Sequence, residues 1–356
     1  MTIGSETLSD EVSAQQAQWQ RWRGVAELYH ACFTGLILTV VTRRGTADAA
    51  EFVFRVFRRQ QQERFLAGLG KLGIDQLPPA VAAAQYHYLS NWIGGVHVEY
   101  MYESDRKAWI RYPPPRWIWK GTAICGVPGE VSRAMLRGWH ANNGVALGNL
   151  KLGFVCTKQS LDGQDGLEGF YYEYDQPLDV DQRLVFARHL EAPAFDPASA
   201  PALPVASWPR PRLEKAYRNY AMEYVRTAAP VMVQLFGPED AGYLLHLTGK
   251  LIGMQYFDNI APALSATRGA ASEFATFLSA LLAAQDDATE SSKSAGSFEI
   301  TQRSWKLMAD VDDYHPACAK ILHGLLQGLA AGCGRHITVN LATAAGGRPP
   351  FVWEIA

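Results

Sequence analysis

No stretch of this chain concentrates lysine or arginine. Charged residues make up 19% of the sequence, and 33 Lys and Arg stand against 35 Asp and Glu for a formal charge of −2. A balance of that kind excludes the basic stripe of a nucleic-acid-binding protein and the polybasic patch of an anionic-membrane anchor. A signal-peptide pattern is missing too. Met1-Thr2-Ile3-Gly4-Ser5-Glu6 is polar, without the charged-then-apolar order of an export leader. The most apolar early run, Phe33 to Val41, meets Arg43 and Arg44 after a length too short to cross a bilayer. No framework of cysteines exists: Cys32, Cys125, Cys156, Cys318 and Cys333 are an odd number without regular spacing. The expectation is a cytoplasmic protein with free thiols.

Several catalytic signatures are absent as well. There is no Walker loop, no HExxH and no GxSxG. Gly68-Leu69-Gly70-Lys71-Leu72-Gly73 spells GxGxxG but closes a helical pattern instead of following a strand, so it is a helix stop. Neither a cofactor nor a metal is expected.

What is present is a globular composition, 48% apolar over 356 residues, enough for two domains with cores. Six prolines (Pro193, Pro197, Pro201, Pro204, Pro209 and Pro211) crowd one segment and forbid a regular helix or central strand there. This predicts a first domain over 1–190, a connector over 191–212 and a second domain over 213–356. Phe195, Val205 and Trp208 give the connector apolar residues that could pack.

The two flanks match in order. Leu36–Arg44 is followed by Gly45 and an acidic first turn at Asp48, as 231–236 is followed by Gly237 and then Glu239 and Asp240. Gly45 and Gly237 are 192 positions apart, as are Phe65 and Phe257. Near each end, Gly166, Phe170 and Glu173 correspond to Gly347, Phe351 and Glu354 at a separation of 181. The predicted plan of each half is helices (14–43, 47–70, 78–92; 212–235, 238–260, 270–285), a strand (96–102; 297–303), a helix (129–141; 316–331) and a closing hairpin (151–160 with 170–174; 336–343 with 351–355). The fold class that follows is α+β, as two diverged copies of a helices-then-antiparallel-sheet unit.

The first closing hairpin reads Leu152-Gly153-Phe154-Val155-Cys156-Thr157-Lys158-Gln159-Ser160-Leu161, then Asp162-Gly163-Gln164-Asp165, then Phe170-Tyr171-Tyr172. It resembles the closing strand–turn–strand of the family that includes L-2-amino-thiazoline-4-carboxylic acid hydrolase. It is also similar to the small-molecule-binding domain named after 4-vinyl reductase. Tyr314-His315-Pro316-Ala317-Cys318 in the second half is similar in layout. The resemblance implies a cavity between helices and sheet that receives a small organic molecule. Both families often carry a Cys before the final strand. Here Leu167-Glu168-Gly169 and Arg348-Pro349-Pro350 occupy that place, so neither their zinc site nor a Cys-dependent ring opening is implied.

Individual residues leave alternatives open. His315, Cys318, Cys333 and His336 are zinc-ligand types, but residues 317–332 read as one helix. Cys318 and Cys333 are then about 22 Å apart along its axis, unless the helix breaks at Gly324 or Gly328. Cys156 shares a strand face with Leu152 and Phe154; it is a nucleophile if His140 lowers its pKa, and otherwise a core thiol. Lys158, two residues on, either meets a partner inside or turns to solvent. In the strand after His87, His97 and Glu99 alternate with Val98 and Tyr100, so either a His–Glu acid/base pair or a tyrosine row faces the core. The Trp- and Pro-rich run 109–121 supplies Trp109, Arg111, Arg116, Trp117 and Trp119. It is a pocket rim whose Arg meets a substrate anion, or a cap on the sheet.

The leading expectation is an enzyme, hydrolase-like, acting on a compact organic substrate. Its catalytic candidates are His97, Glu99, His140 and Cys156; Tyr100, Trp109, Arg116, Trp117, Trp119 and Lys158 would bind substrate. The alternative is a non-catalytic small-molecule sensor or binder. A third reading makes the Trp and Pro surfaces an assembly interface, as in a homodimer.

Overall fold

A computed structural model describes residues 3–203, 206–294, 296–343 and 345–356. Pro204 and Val205 of the predicted connector lie outside these. The chain is α+β, with two compact units. One is Ile37–Leu213. The other is Glu214–Ala356 together with the N-terminal residues through Leu36. The residues from Glu214 on thus cluster with the N-terminal residues through Leu36, not as a unit of their own. The cause is α1, a single helix over Ile3–Arg44. Its Phe33 ring lies 4.9 Å from that of Tyr224, and its Tyr29 hydroxyl donates to Gln285 Oε1 at 2.6 Å.

α1 also corrects the reading of the early apolar run. By length and composition, Ser13–Arg44 contains a window able to cross a membrane. Within the protein 72% of that window is buried. An apolar circumference is what a helix needs when neighbours cover it on several sides.

In the Ile37–Leu213 unit, α2 (Thr46–Leu72) and α3 (Pro79–Ile93) precede β1 (Glu99–Ser104) and β2 (Lys107–Tyr112). Then come α4 (Gly129–Gly138), the single turn α5 (Asn143–Ala146), β3 (Leu152–Lys158), β4 (Leu167–Glu173) and β5 (Leu184–Phe186). The strand order is β1-β2-β4-β3-β5, antiparallel except for β3 with β5. The other unit carries α6 (Arg210–Phe236, from Glu214 on), α7 (Pro238–Ile260), α8 (Ala271–Ala284), β6 (Thr289–Ser294), β7 (Ser297–Gln302), α9 (Ala319–Cys333), β8 (Val339–Thr343) and β9 (Phe351–Ile355). Its order is β6-β7-β9-β8. Each sheet thus begins with a hairpin where one strand was expected. The predicted 96–102 overlaps β1, whereas 297–303 overlaps β7, the second strand of its hairpin.

The helical correspondence is geometric. Gly45 and Gly237 cap α2 and α7 with φ of 95° and 80°, a conformation that favours glycine. Phe65 and Phe257 are both fully buried. The sheet correspondence at a separation of 181 is not. Phe170 pairs with Trp109, the third residue of β2, whereas Phe351 pairs with Gln302, the sixth of β7. Phe170 packs with Met101, Trp109 and Val155, while Phe351 meets Trp305 and Trp353. By register, Tyr171 and Ile355 occupy like positions, opposite Ala108 and Phe298. The shared spelling of glycine, aromatic and glutamate does not reflect shared pairing.

The stretch that runs across the expected domain end at 190 is structural. Leu184–Phe186 adds the fifth strand, and Ala187, Leu190, Ala192 and Phe195 pack onto Met101, Trp109, Val155 and Phe170. The segment forms a strap over the outer face of the sheet, and the helices cover the inner face.

Candidate functional site

Strand alternation decides what faces the helices. Tyr100, Ile110, Phe154, Gly169 and Tyr171 fall on one face by register, and Met101, Trp109, Val155 and Phe170 on the other. On α3 the buried positions Ala80, Ala83, Ala84, His87 and Asn91 recur at helical spacing, which carries His87 over the inner face. α4 ends at Gly138, where an added Cβ would lie 2.6 Å from the Phe54 carbonyl of α2. The turn that follows places His140 beside His87.

The two imidazoles stack with ring centroids 4.3 Å apart and planes at 12°. Tyr171 lies nearly parallel to both, 5.8 Å from His87 and 6.1 Å from His140, and Phe154 tilts against His140 at 4.6 Å. His87 is fully engaged. Its Nδ1 lies 3.0 Å from Tyr112 Oη and its Nε2 3.3 Å from Asn143 Nδ2. Asn143 Nδ2 also donates to Tyr171 Oη at 2.8 Å, and Gln61 Nε2 donates to Asn143 Oδ1 at 3.3 Å. Since Asn143 donates to Nε2, the His87 proton sits on Nδ1 and points at Tyr112. Asn91 Nδ2 donates to the same hydroxyl at 3.4 Å.

His140 differs. It is 5% exposed, and neither ring nitrogen has a hydrogen-bond partner among the described residues. Burial pushes the His87 imidazole down to about 3. Burial, then His87, then the Arg116 charge hold His140 well below the usual histidine range. Both rings are neutral at physiological pH. Burial likewise holds the Tyr171 hydroxyl well above its ordinary range. Apart from the buried Arg116, the groups around the pair are aromatic or neutral polar.

Of the expected site residues, His140 and Tyr100 belong to this face. Tyr100 is buried, and its hydroxyl accepts from Gln85 Nε2 at 3.4 Å. Arg116 is buried with its guanidinium 4.9 Å from the Tyr112 ring centroid, Trp119 is buried beside it in sequence, and Trp117 is half-buried. Cys156 is on the inner face, but burial pushes its thiol up to about 12, which removes the thiolate a nucleophile needs.

The others are elsewhere. His97 is exposed in the link before β1, so the expected His97–Glu99 acid/base pair does not face the core. Glu99 is half-buried and ion-paired with Arg111 at 3.0 Å. A register shift between Cys156 and Lys158 sets Lys158 opposite Glu168, away from the cysteine's partner Gly169. Lys158 Nζ lies 3.3 Å from Asp165 and 3.6 Å from Glu191. Trp109 is under the strap, its Nε1 donating to Glu103 at 2.7 Å. α9 runs unbroken from Ala319 to Cys333, which keeps Cys318 and Cys333 at its opposite ends.

His87, Gln61, Asn143, Tyr112 and Tyr171 complete the site. The available signal was a histidine and an asparagine on the alanine-rich face of α3. The other unit places different groups in its interior: Asp287 accepts from Gln302 Nε2 at 2.9 Å and the Lys306 N–H at 2.7 Å, and Gln302 Oε1 accepts from Trp353 Nε1 at 3.0 Å.

No protein-family model, no curated protein and no solved structure matches this chain.

Proposed function

We propose that the Ile37–Leu213 unit is a small-molecule-binding module whose ligand contacts His140 between the helices and the inner face of the sheet. One observation carries this reading: His140 keeps two buried nitrogens without a partner among the described residues, inside a network that satisfies both nitrogens of its neighbour His87. Buried polar groups are ordinarily paired, and an unpaired one costs about 1–3 kcal/mol. A ligand offering one acceptor and one donor to the ring edge supplies what the chain does not. The low pKa of both imidazoles and the high pKa of Cys156 favour recognition over proton transfer or nucleophilic attack. The resemblance at the 152–172 hairpin agrees with a ligand in this layer. The repeated strand order and the paired glycine caps support two diverged copies, of which this one keeps the site. Five free thiols favour a reducing, cytoplasmic setting.

The test is native mass spectrometry of the purified full chain, followed by a thermal-shift screen of small organic compounds. The expected result is a bound mass, or a compound that raises the melting temperature, present in the wild type and lost in His140→Phe. If the wild type and His140→Phe respond alike to every compound, the reading is wrong.

A further inference from the structure

α7 and α9 touch backbone to backbone. An added Cβ on Gly324 would lie 2.1 Å from the His246 carbonyl, one on Gly328 2.1 Å from that of Lys250, and one on Gly249 2.3 Å from that of Ile321. Glycine at these three positions lets the helices close up, which brings the residues flanking the contact together. His246 and Lys250 are one turn apart on α7, and Lys320, His323 and Gln327 follow one another at the same spacing on α9. The His246 and His323 rings are 5.3 Å apart, edge to face. Both are half-buried, and Lys250 and Lys320 are exposed beside them.

The groups facing these imidazoles are of one sign or neutral. Beyond burial, His246 is held down by the charges of Lys250 and Lys320, and His323 by His246, Lys320 and Lys250. Their neutral partners are backbone carbonyls, Lys320 for His246 and Val339 for His323. Gln327 Nε2 lies 3.1 Å from His323 Nε2 and donates to the Val339 carbonyl. From β9 the neighbour is the Trp353 ring, 6.0 Å from His323.

We propose that the groove walled by His246, Lys250, Lys320 and His323 binds a compact oxyanion of the phosphate class. The two ammonium groups oppose protonation of the two imidazoles beside them, and a tetrahedral anion between the four would relieve that opposition through charge-assisted hydrogen bonds. Tyr243 and Met254 are exposed on the same face of α7 as Lys250, seven residues before it and four after. The phosphate can therefore be free or carried on a lipid headgroup.

The experiment follows the imidazole C–H signals of His246 and His323 by NMR in the full chain. The probes are inorganic phosphate, phosphatidylglycerol vesicles and phosphatidylcholine vesicles, at matched ionic strength. Phosphate is expected to raise the apparent pKa of both histidines. Lys250→Gln with Lys320→Gln abolishes that response. Cosedimentation with phosphatidylglycerol but not phosphatidylcholine, lost in the double variant, identifies the headgroup as the source. A response to phosphate without cosedimentation identifies the free ion. The proposal is overturned if neither phosphate nor phosphatidylglycerol acts beyond matched chloride, or if the double variant responds like the wild type.

Discussion

His87 and His140 stack face to face at 4.3 Å, yet among the described residues only His87 has hydrogen-bond partners for its nitrogens. The two rings should therefore respond oppositely to replacement. His87→Phe strips Tyr112 and Asn143 of a partner and is expected to lower unfolding stability by about 1–3 kcal/mol. His140→Phe keeps an aromatic ring in the stack and removes two unsatisfied nitrogens, so it is expected to be neutral or stabilising by about 1 kcal/mol. Urea denaturation of the two variants checks the contrast. Equal losses for both would remove the asymmetry on which the site rests.

The same pair sets an acid limit. Each imidazole has a folded pKa below its unfolded value, about 3 against 6.5 for His87. The neutral forms stabilise the fold above the unfolded pKa, and that contribution is lost as pH falls from about 6.5 toward about 3. His87 contributes a slope of up to about 1.4 kcal/mol per pH unit in that window, and His140 adds to it as pH falls below about 6.5. Denaturation at several pH values should show the slope flatten in His87→Phe and in His140→Phe.

Much of the frame could be read from residue pattern. A glycine followed by an acidic first turn makes the helix breaks at Gly45 and Gly237 legible, and the structure adds that both glycines cap the next helix with positive φ. The strap, the domain membership of α1 and the site were not legible in the same way. Strap packing depends on the sheet's outer face being apolar at Met101, Trp109, Val155 and Phe170, which come from four strands. His140 was singled out for its closeness to Cys156. Its real neighbour, His87, is far away in sequence and meets it only once α3 and α4 settle on the sheet. His97 and Glu99 misled because alternation alone does not say which face is inward. The Arg111–Glu99 ion pair and the buried Val98 and Tyr100 decide that.

Asp287 should give the opposite pH signature. Burial pushes its carboxyl from 3.8 up to about 7, despite the Lys306 and Gln302 hydrogen bonds. The protonated form is preferred in the fold. Its stabilising contribution is complete below about pH 3.8 and is lost as pH rises to about 7. Stability of the wild type relative to Asp287→Asn should fall across that window and level off above it. A constant difference from pH 4 to pH 8 would contradict the buried carboxyl.

Glycines in the helices should separate by neighbourhood. Gly324→Ala and Gly328→Ala drive a methyl into backbone carbonyls on α7 and are expected to cost about 3 kcal/mol or more. Gly70→Ala, near the end of α2 with nothing within 4 Å, should stabilise by about 1 kcal/mol through helix propensity. Thermal unfolding of the three variants measures both signs.

The strap depends on one buried carboxylate. Glu168 is 3% exposed; its Oε1 accepts from Thr157 Oγ1 at 2.7 Å and from the Ala192 N–H at 3.2 Å. Its Oε2 lies 3.7 Å from Arg111 and 3.9 Å from Lys158. Removing it leaves the Thr157 hydroxyl and the Ala192 N–H of the strap without their acceptor, at a cost of about 1–3 kcal/mol, while Arg111 keeps Glu99 and Lys158 keeps Asp165 and Glu191. Glu168→Ala is therefore expected to loosen 187–195 before the whole unit unfolds. Trypsin tests this directly, because Arg188 lies within the strap. Cleavage after Arg188 should be markedly faster in Glu168→Ala than in the wild type, under conditions where helical circular dichroism is unchanged. Glu168→Gln, which keeps an acceptor for Thr157 and Ala192, should fall between the two. If all three proteins are cut at the same rate, the apolar contacts of Ala192 and Phe195 hold the strap without the carboxylate.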